Sequence, residues 1–296
     1  MQQNVSIMAV FDAVGAAGEI SRSGLADATG FSLMTVGKAI DKLTACGVIA
    51  ERKPTSGGVG RRSGMCSLVK ANGMILLDLT DGIRARICDI SLDILGEYTG
   101  DELCDVMAKC FCGLAEVGCA EIMGVGCVMP DGIQAERGRE LCEMLGSAPE
   151  VLVGASRAWA FANSKRFEYS GMAAFVQMYS DGHIGGMLMQ SDRPYTGSHG
   201  RAGDLVRLAS RGNVCEKLSE LCLALDPELI HIACENEAEC ASLEAELDVS
   251  LTEWGFDNMT RPSVVVEPLS ICRGTLDGAA LMLREKYVLT KIPNNT

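Results

Sequence analysis

Two pairs of cations carry the chemistry most readily assigned in this sequence. Lys38 and Lys42 lie one helical turn apart, so on a helix they share a face. Arg61 and Arg62 stand near the end of a glycine-rich stretch that opens after Arg52 and Lys53. Ammonium and guanidinium groups placed this way can contact the phosphates of duplex DNA, and a finger ending in arginine can reach a phosphate or a minor groove. Ser32, Met34 and Thr35 precede the lysines on the same segment, where they can face base edges. No arginine lies on that segment, so bidentate recognition of guanine from it is unavailable and base specificity is modest.

The elements around these residues follow from periodicity. Ile7, Val10, Phe11 and Val14 recur at spacings of three and four and predict a first helix over Ser6–Ala17, ended by Gly15 and Gly18. Ser21 is an N-cap for a second helix, Ser23–Thr29, with Gly30 at its left-handed stop. Ser32 caps a third helix over Leu33–Cys46, which buries Val36, Ile40 and Leu43 and stops at Gly47. Leu25-Ala26-x-x-Thr29-Gly30-Phe31-Ser32 has the small residue and tight turn of a helix-turn-helix. Strands at Val48–Arg52 and Cys66–Val69, joined through Thr55–Gly64, complete a wing. Residues 1–70 are thus expected to form a winged helix-turn-helix DNA-binding domain. The competing reading of the same elements is a dimerisation or protein-contact domain.

Charge is distributed in the sense this reading requires. Residues 1–72 hold eight Lys/Arg and five Asp/Glu, a charge of +3; the remainder carries −16, within a total of −13. A mildly basic head on an acidic body attracts phosphate at one end only. An apolar content of 48% supplies core for more than one domain. No apolar run reaches membrane-spanning length and no leader pattern is present, so a soluble, cytoplasmic protein is expected. The fourteen cysteines are scattered through apolar segments and read as reduced core residues. Cys110 and Cys112 form a C-x-C, but no second C-x-C or nearby histidine completes four ligands. His183 falls in a hairpin turn, Asp181-Gly182-His183, and is read as solvated.

Beyond the wing the chain alternates strands and helices. Strands are predicted at Met74–Asp78, Arg84–Asp89, Ser91–Tyr98 and Met123–Met129, with a helix over Asp101–Glu116. A further set follows, with strands Ala173–Tyr179, Ile184–Gln190, Leu229–Ala233 and Ser263–Pro268, and helices Val214–Ala224 and Thr275–Tyr287. The stretch Tyr195-Thr196-Gly197-Ser198-His199-Gly200-Arg201-Ala202-Gly203-Asp204 resembles the G-x-x-G-x-A-G-E sugar-binding loop of the ROK family, named for repressors, open reading frames and sugar kinases. Supporting similarities are Met74–Asp89 for the phosphate hairpin, Gly124–Pro130 for the strand before the sugar loop, Asp226-Pro227-Glu228-Leu229-Ile230 and Leu276-Asp277-Gly278-Ala279-Ala280. The resemblance implies an α/β chain in which the winged helix precedes a shortened actin-like, ribonuclease H-like sugar kinase fold. Its two α/β subdomains are expected at 71–155 and 156–296, with the C-terminal helix returning to the first. It also implies Gly197, His199, Gly200 and Asp204 as candidate ligand-binding residues.

The departures from the family pattern bear on chemistry. Where kinases carry D-x-G-G-T to approach ATP phosphates, this chain has Asp78-Leu79-Thr80-Asp81-Gly82. The catalytic aspartate of E-N-D-x-N-A aligns with Ser156 in Gly154–Trp159, and a serine does not accept a sugar hydroxyl proton at neutral pH. Asp204 replaces the loop glutamate, and Val206-Arg207 replaces the Gly-His that follows it. The zinc motif C-x-C-G-x-x-G-C is absent from Leu208–Glu216, where Cys215 is the lone cysteine. The expected function is therefore that of a non-enzymatic regulator, a repressor in the favoured form, with no catalytic residues, cofactor or metal. Its partners would be a double-stranded DNA operator, a second copy in a homodimer or higher homo-oligomer, and a carbohydrate-like effector. Two alternatives stand beside it: an active sugar kinase with an accessory DNA-binding head, and a thiol- or metal-responsive repressor using Cys46, Cys66, Cys110, Cys112 or Cys119.

Overall fold

The computed structural model describes residues 2–52, 64–131, 149–180, 184–199, 202–203, 205 and 213–292. Arg61, Arg62, His183, Gly200 and Asp204 lie outside them. The chain opens with α1 (Gln2–Ala17), β1 (Ile20–Ser21), α2 (Arg22–Thr29), α3 (Leu33–Ala45), β2 (Ile49–Arg52) and β3 (Met65–Leu68). Capping follows the expected chemistry: Ser21 and Ser32 side chains accept from Gly24 N–H and Thr35 N–H, and Gly30 closes α2 at φ 70°. β2 and β3 form an antiparallel hairpin, and the two-residue β1, which periodicity cannot detect, adds to β3 to make a three-stranded sheet in the order β1-β3-β2.

Two five-stranded sheets make the body. The first is built from β4 (Asn72–Asp78), β5 (Ile83–Asp89), β6 (Ile94–Gly100), β7 (Glu121–Met129) and β8 (Val151–Gly154), in the order β6-β5-β4-β7-β8. The second uses β9 (Met172–Met178), β10 (Ile184–Gln190), β11 (Arg193–Pro194), β12 (Leu229–Cys234) and β13 (Ser263–Pro268), in the order β11-β10-β9-β12-β13. In each, three antiparallel strands are followed by two parallel ones. This repeated topology is the ribonuclease H-like unit, and its duplication is the actin-like architecture. Central strands such as β4 are buried along their whole length, as strands covered on both faces must be.

Among the described residues, the body's helices are α4 (Leu103–Glu116), α5 (Ala155–Ser164), α6 (Val214–Leu225), α7 (Glu237–Glu253) and α8 (Thr275–Lys291). The helix that follows each sheet's last strand serves both halves: α5 packs on β9 and β10, α8 packs on β4 and β7, and the two cross. The crossing is made close by glycine, since a Cβ on Gly278 would sit 1.8 Å from the Ala158 carbonyl oxygen. One apolar cluster runs from Val10, Phe11 and Ile40 of the head through Leu76 and Val128 to Leu283 and Val288 of α8, so head and body share a core.

One strand departs from expectation. The strand placed at Ser91–Tyr98 begins at Ile94, because the Asp89 carboxylate accepts from Ser91 N–H and Asp93 N–H and folds the intervening residues into a turn, with Leu92 at φ 72°. The second sheet also contains a buried polar knot. His231 on β12 is fully buried and stacks on Trp159 with ring centroids 5.6 Å apart. Its Nε2 lies 2.7 Å from Glu267, which also takes a double contact from Arg166 and a thiol contact from Cys272.

Candidate nucleic-acid interface

The third helix turns one side to the core and the other to solvent. Val36, Ala39, Ile40 and Leu43 are buried, which turns Ser32, Met34 and Lys38 outward and leaves Thr35 and Lys42 half-buried on the flanks. Met34 is 71% exposed and its neighbour Leu33 61% exposed. Two apolar side chains left in solvent at the start of this helix suit contact with thymine methyl groups. Leu33 was not among the residues singled out from sequence, because its position reads as the first apolar turn of a helix and only the fold shows it facing solvent.

The acidic residues near this surface are partly neutralised within the head. Arg22, at the start of α2, donates through Nε and Nη2 to the Glu51 carboxylate, both at 2.9 Å, and Nη2 also reaches Asp41 Oδ1 at 2.9 Å. The bidentate Glu51 contact, opposed by burial and helped by Asp41, raises the Arg22 pKa further. One guanidinium thereby ties α2, α3 and β2 together, offsets Asp41 on the exposed face of α3, and is spent on structure rather than left free for phosphate. Arg52, 80% exposed at the end of β2, makes one long contact of 3.8 Å among the described residues, to Glu19.

The thiol-sensor alternative is not supported at its favoured residue. Cys66 is fully buried in β3, and burial raises its pKa, which disfavours the reactive thiolate. Cys110 is buried and pushed up to about 11 by that burial, whereas Cys112 is exposed on the other side of α4, so the C-x-C does not converge. Among the described residues, the one group of three possible metal ligands is His231, Glu267 and Cys272, and its carboxylate is already engaged by Arg166.

In the body, the residues where kinase chemistry would reside are occupied by their own neighbours. Asp78 is 3% exposed; Oδ1 accepts from Thr80 N–H at 3.0 Å and Thr80 Oγ1 at 2.5 Å, and Oδ2 accepts from Arg84 at 2.9 Å and Thr275 Oγ1 at 3.3 Å. Ser156, at the first turn of α5, donates its hydroxyl to Asp131 Oδ2 at 2.5 Å, and its N–H contacts the same carboxylate. Asp131 was missed from sequence: it is 25 residues from Ser156, in the turn after β7, and no spacing rule links the two.

The stretch likened to a sugar loop is shaped by glycine. Gly197 takes φ 62° and Gly203 φ 82°, and a Cβ on Gly203 would fall 2.1 Å from the Tyr195 carbonyl oxygen. Leu188 N–H donates to the Gly203 carbonyl at 2.7 Å and Tyr195 N–H to that of Leu188 at 2.8 Å, which holds the loop against β10. His199 is exposed on this loop, and the structure brings Gly197 and His199 into one turn.

No protein-family model matches the sequence, and no curated protein matches it. Solved structures do. A ROK family transcriptional regulator, a homolog of the E. coli MLC protein, aligns over 98% of this chain and 98% of its own, with TM-score 0.66 and 14% identity. The ROK hexokinase from Thermus thermophilus aligns over 71% of this chain and 97% of its own, with TM-score 0.51 and 16% identity. The chain therefore has the fold of that regulator over nearly its whole length, and 71% of it shares the fold of that hexokinase.

Proposed function

We propose that this chain is a DNA-binding transcriptional regulator, a repressor in its simplest form, whose kinase-like body serves pairing and ligand sensing rather than phosphoryl transfer. The observation that carries the reading is the outward face of α3, with Ser32, Met34 and Lys38 exposed and Lys42 on its flank, set on a three-helix head whose strands β2 and β3 are joined in sequence by the stretch that contains Arg61 and Arg62. A winged helix reading paired half-sites requires two-fold symmetry, so the operator-bound form is a homodimer or a higher even assembly. Gly197, His199, Gly200 and Asp204 are the residues proposed to meet a carbohydrate-like effector.

The test is fluorescence anisotropy of the protein on its own upstream promoter DNA across a salt series. Saturable binding that exceeds binding to scrambled DNA supports the reading. Lys38→Ala/Lys42→Ala then lowers the slope of log K against log salt by about 2, one unit for each lost phosphate contact. Arg61→Ala/Arg62→Ala weakens binding as well. An unchanged slope in both double variants refutes the assignment of the surface.

Sugar phosphorylation is the second reading, and the Asp131 carboxylate beside Ser156 is the observation in its favour. ATP-dependent turnover of a hexose panel, lost in Asp131→Asn, would replace the regulator reading of the body. The saturation of Asp78 by Thr80, Arg84 and Thr275 argues the other way, since that carboxylate has no free face for a metal–phosphate group.

A further inference from the structure

A cavity of about 630 Å³ opens where α1 of the head meets α5 and α8 of the body. Met8 and Ala9 form one wall, Phe161 and Leu281 the other, and a set of charged groups rims them. Most of those charges are matched on the body side: Lys165 Nζ lies 2.8 Å from Asp192, and Arg193 is paired with Glu285. Arg284 differs. Its side chain is only 12% exposed, its guanidinium lies over the Phe11 ring at 5.1 Å, and its ion-pair partner among the described residues is Asp12 of the head at 3.1 Å. Asp12 is itself 56% exposed on the cavity side. A buried cation thus depends on a half-solvated carboxylate.

We propose that this junction is a binding site for a small apolar monocarboxylate, which takes the place of Asp12 on Arg284 and seats its hydrocarbon body between Met8, Ala9, Phe161 and Leu281. A volume of this size suits a molecule with an apolar body and one or two polar anchors. The planar guanidinium selects a carboxylate by its two parallel donors. The Asp12 carboxylate, which stays in the cavity lining beside the bound group, would repel a dianion such as a phosphate monoester more strongly than a monoanion. Burial lowers the Arg284 pKa against the opposing pull of Asp12, and Arg273 lowers it further, so the cation is incompletely compensated and gains from a better-placed anion. Because Asp12 belongs to the head and Arg284 to the body, occupancy exchanges an inter-unit ion pair for a ligand contact. The proposal concerns this cavity alone and stands whether or not the chain binds DNA.

The probe is 2-naphthoate, titrated calorimetrically into the whole chain, with 2-naphthol as its uncharged counterpart. Saturable naphthoate binding is expected, with naphthol about tenfold weaker. Arg284→Gln weakens naphthoate by about tenfold, while Asp12→Asn, which removes the competing carboxylate, tightens it by about threefold. Ala9→Phe fills the cavity without touching either charge and abolishes binding, which keeps the test decisive if Arg284→Gln does not fold. The proposal is overturned by no saturable binding up to about 1 mM. Equal affinity for naphthol, an Asp12→Asn affinity no tighter than the parent's, or undiminished binding in Ala9→Phe overturns it equally.

Discussion

Replacing Gly278 by alanine probes the crossing of α5 and α8 on which the relative placement of the two sheets depends. The added methyl carbon would lie 1.8 Å from the Ala158 oxygen, 2.5 Å from its carbonyl carbon and 3.0 Å from its Cα. Backbone atoms cannot rotate away as a side chain can, so the helices must part until the contact reaches an ordinary separation, a movement of about 1.5 Å. That opening loosens a seam of fully buried alanines, Ala158 and Ala279 among them, and adds lost contacts to the strain. Overpacking of this kind costs about 3 kcal/mol. Alanine in a helix interior returns about 1 kcal/mol through its higher propensity, leaving a net loss near 2 kcal/mol. Urea unfolding followed by circular dichroism measures it as a fall in midpoint at unchanged slope. The control is Gly37→Ala in α3, whose Cβ would meet only the end of Arg22 at 3.5 Å, an ordinary contact. There the propensity gain stands alone and the head gains about 0.5–1 kcal/mol. If Gly278→Ala loses less than about 0.5 kcal/mol, the close helix crossing is not a constraint and the reasoning is wrong.

Other perturbations read different parts of the molecule. Ser32→Ala leaves the Thr35 N–H without its 3.2 Å acceptor and lowers stability by about 1 kcal/mol, while Ser32→Asp retains the cap; thermal unfolding separates the two. Glu267→Gln removes the anion beneath Arg166 and His231, and urea unfolding detects a loss of about 3 kcal/mol. The same knot dictates an acid dependence. Burial raises the Glu267 pKa, but donors from Arg166, His231 and Cys272 prevail and bring it from 4.5 to about 2, so its stabilising effect is complete above pH 4.5 and disappears as the pH falls toward 2. Burial lowers the pKa of His231 from 6.5 despite Glu267, so acid must charge a ring held neutral, and stability again falls with pH below 6.5. Urea midpoints measured downward from pH 7 should therefore decline throughout, with the decline below 4.5 reduced in Glu267→Gln; a flat profile refutes the account.

Most of the head was legible because its signals are local. Ser21, Gly30 and Ser32 fix helix boundaries by the hydrogen bonds and left-handed φ their own types favour, and α2 and α3 begin and end within one residue of where those types place them. α5 lacked such a signal. Its sequence buries Ser156 and all of Ala158–Ser164, so no polar face marks a helical period, and the segment was read only as a motif position. α7 failed for the opposite reason: Leu243, Leu247 and Leu251 form a narrow buried stripe in a largely acidic, exposed helix. The site shows the same division. Exposure of Ser32, Met34 and Lys38 follows from the period of α3, whereas the Asp131–Ser156 and Asp12–Arg284 pairs join residues that only the tertiary fold brings together.

The apolar cluster shared by head and body has a consequence for the order in which the protein can mature. A chain is made from its N-terminal end, so α1, α2 and α3 emerge long before α8 exists. Yet Leu283, Tyr287 and Val288 of α8 belong to the cluster that contains Phe11 and Ile40. Arg284 of α8 holds Asp12, and the Cys46 thiol donates to the Lys291 carbonyl at 3.0 Å. The head must therefore wait with one apolar flank uncovered until α8 leaves the ribosome and docks. A product interrupted before Thr275 would carry every residue of the α3 surface and still lack the wall that steadies it, so competence of the head is coupled to completion of the body.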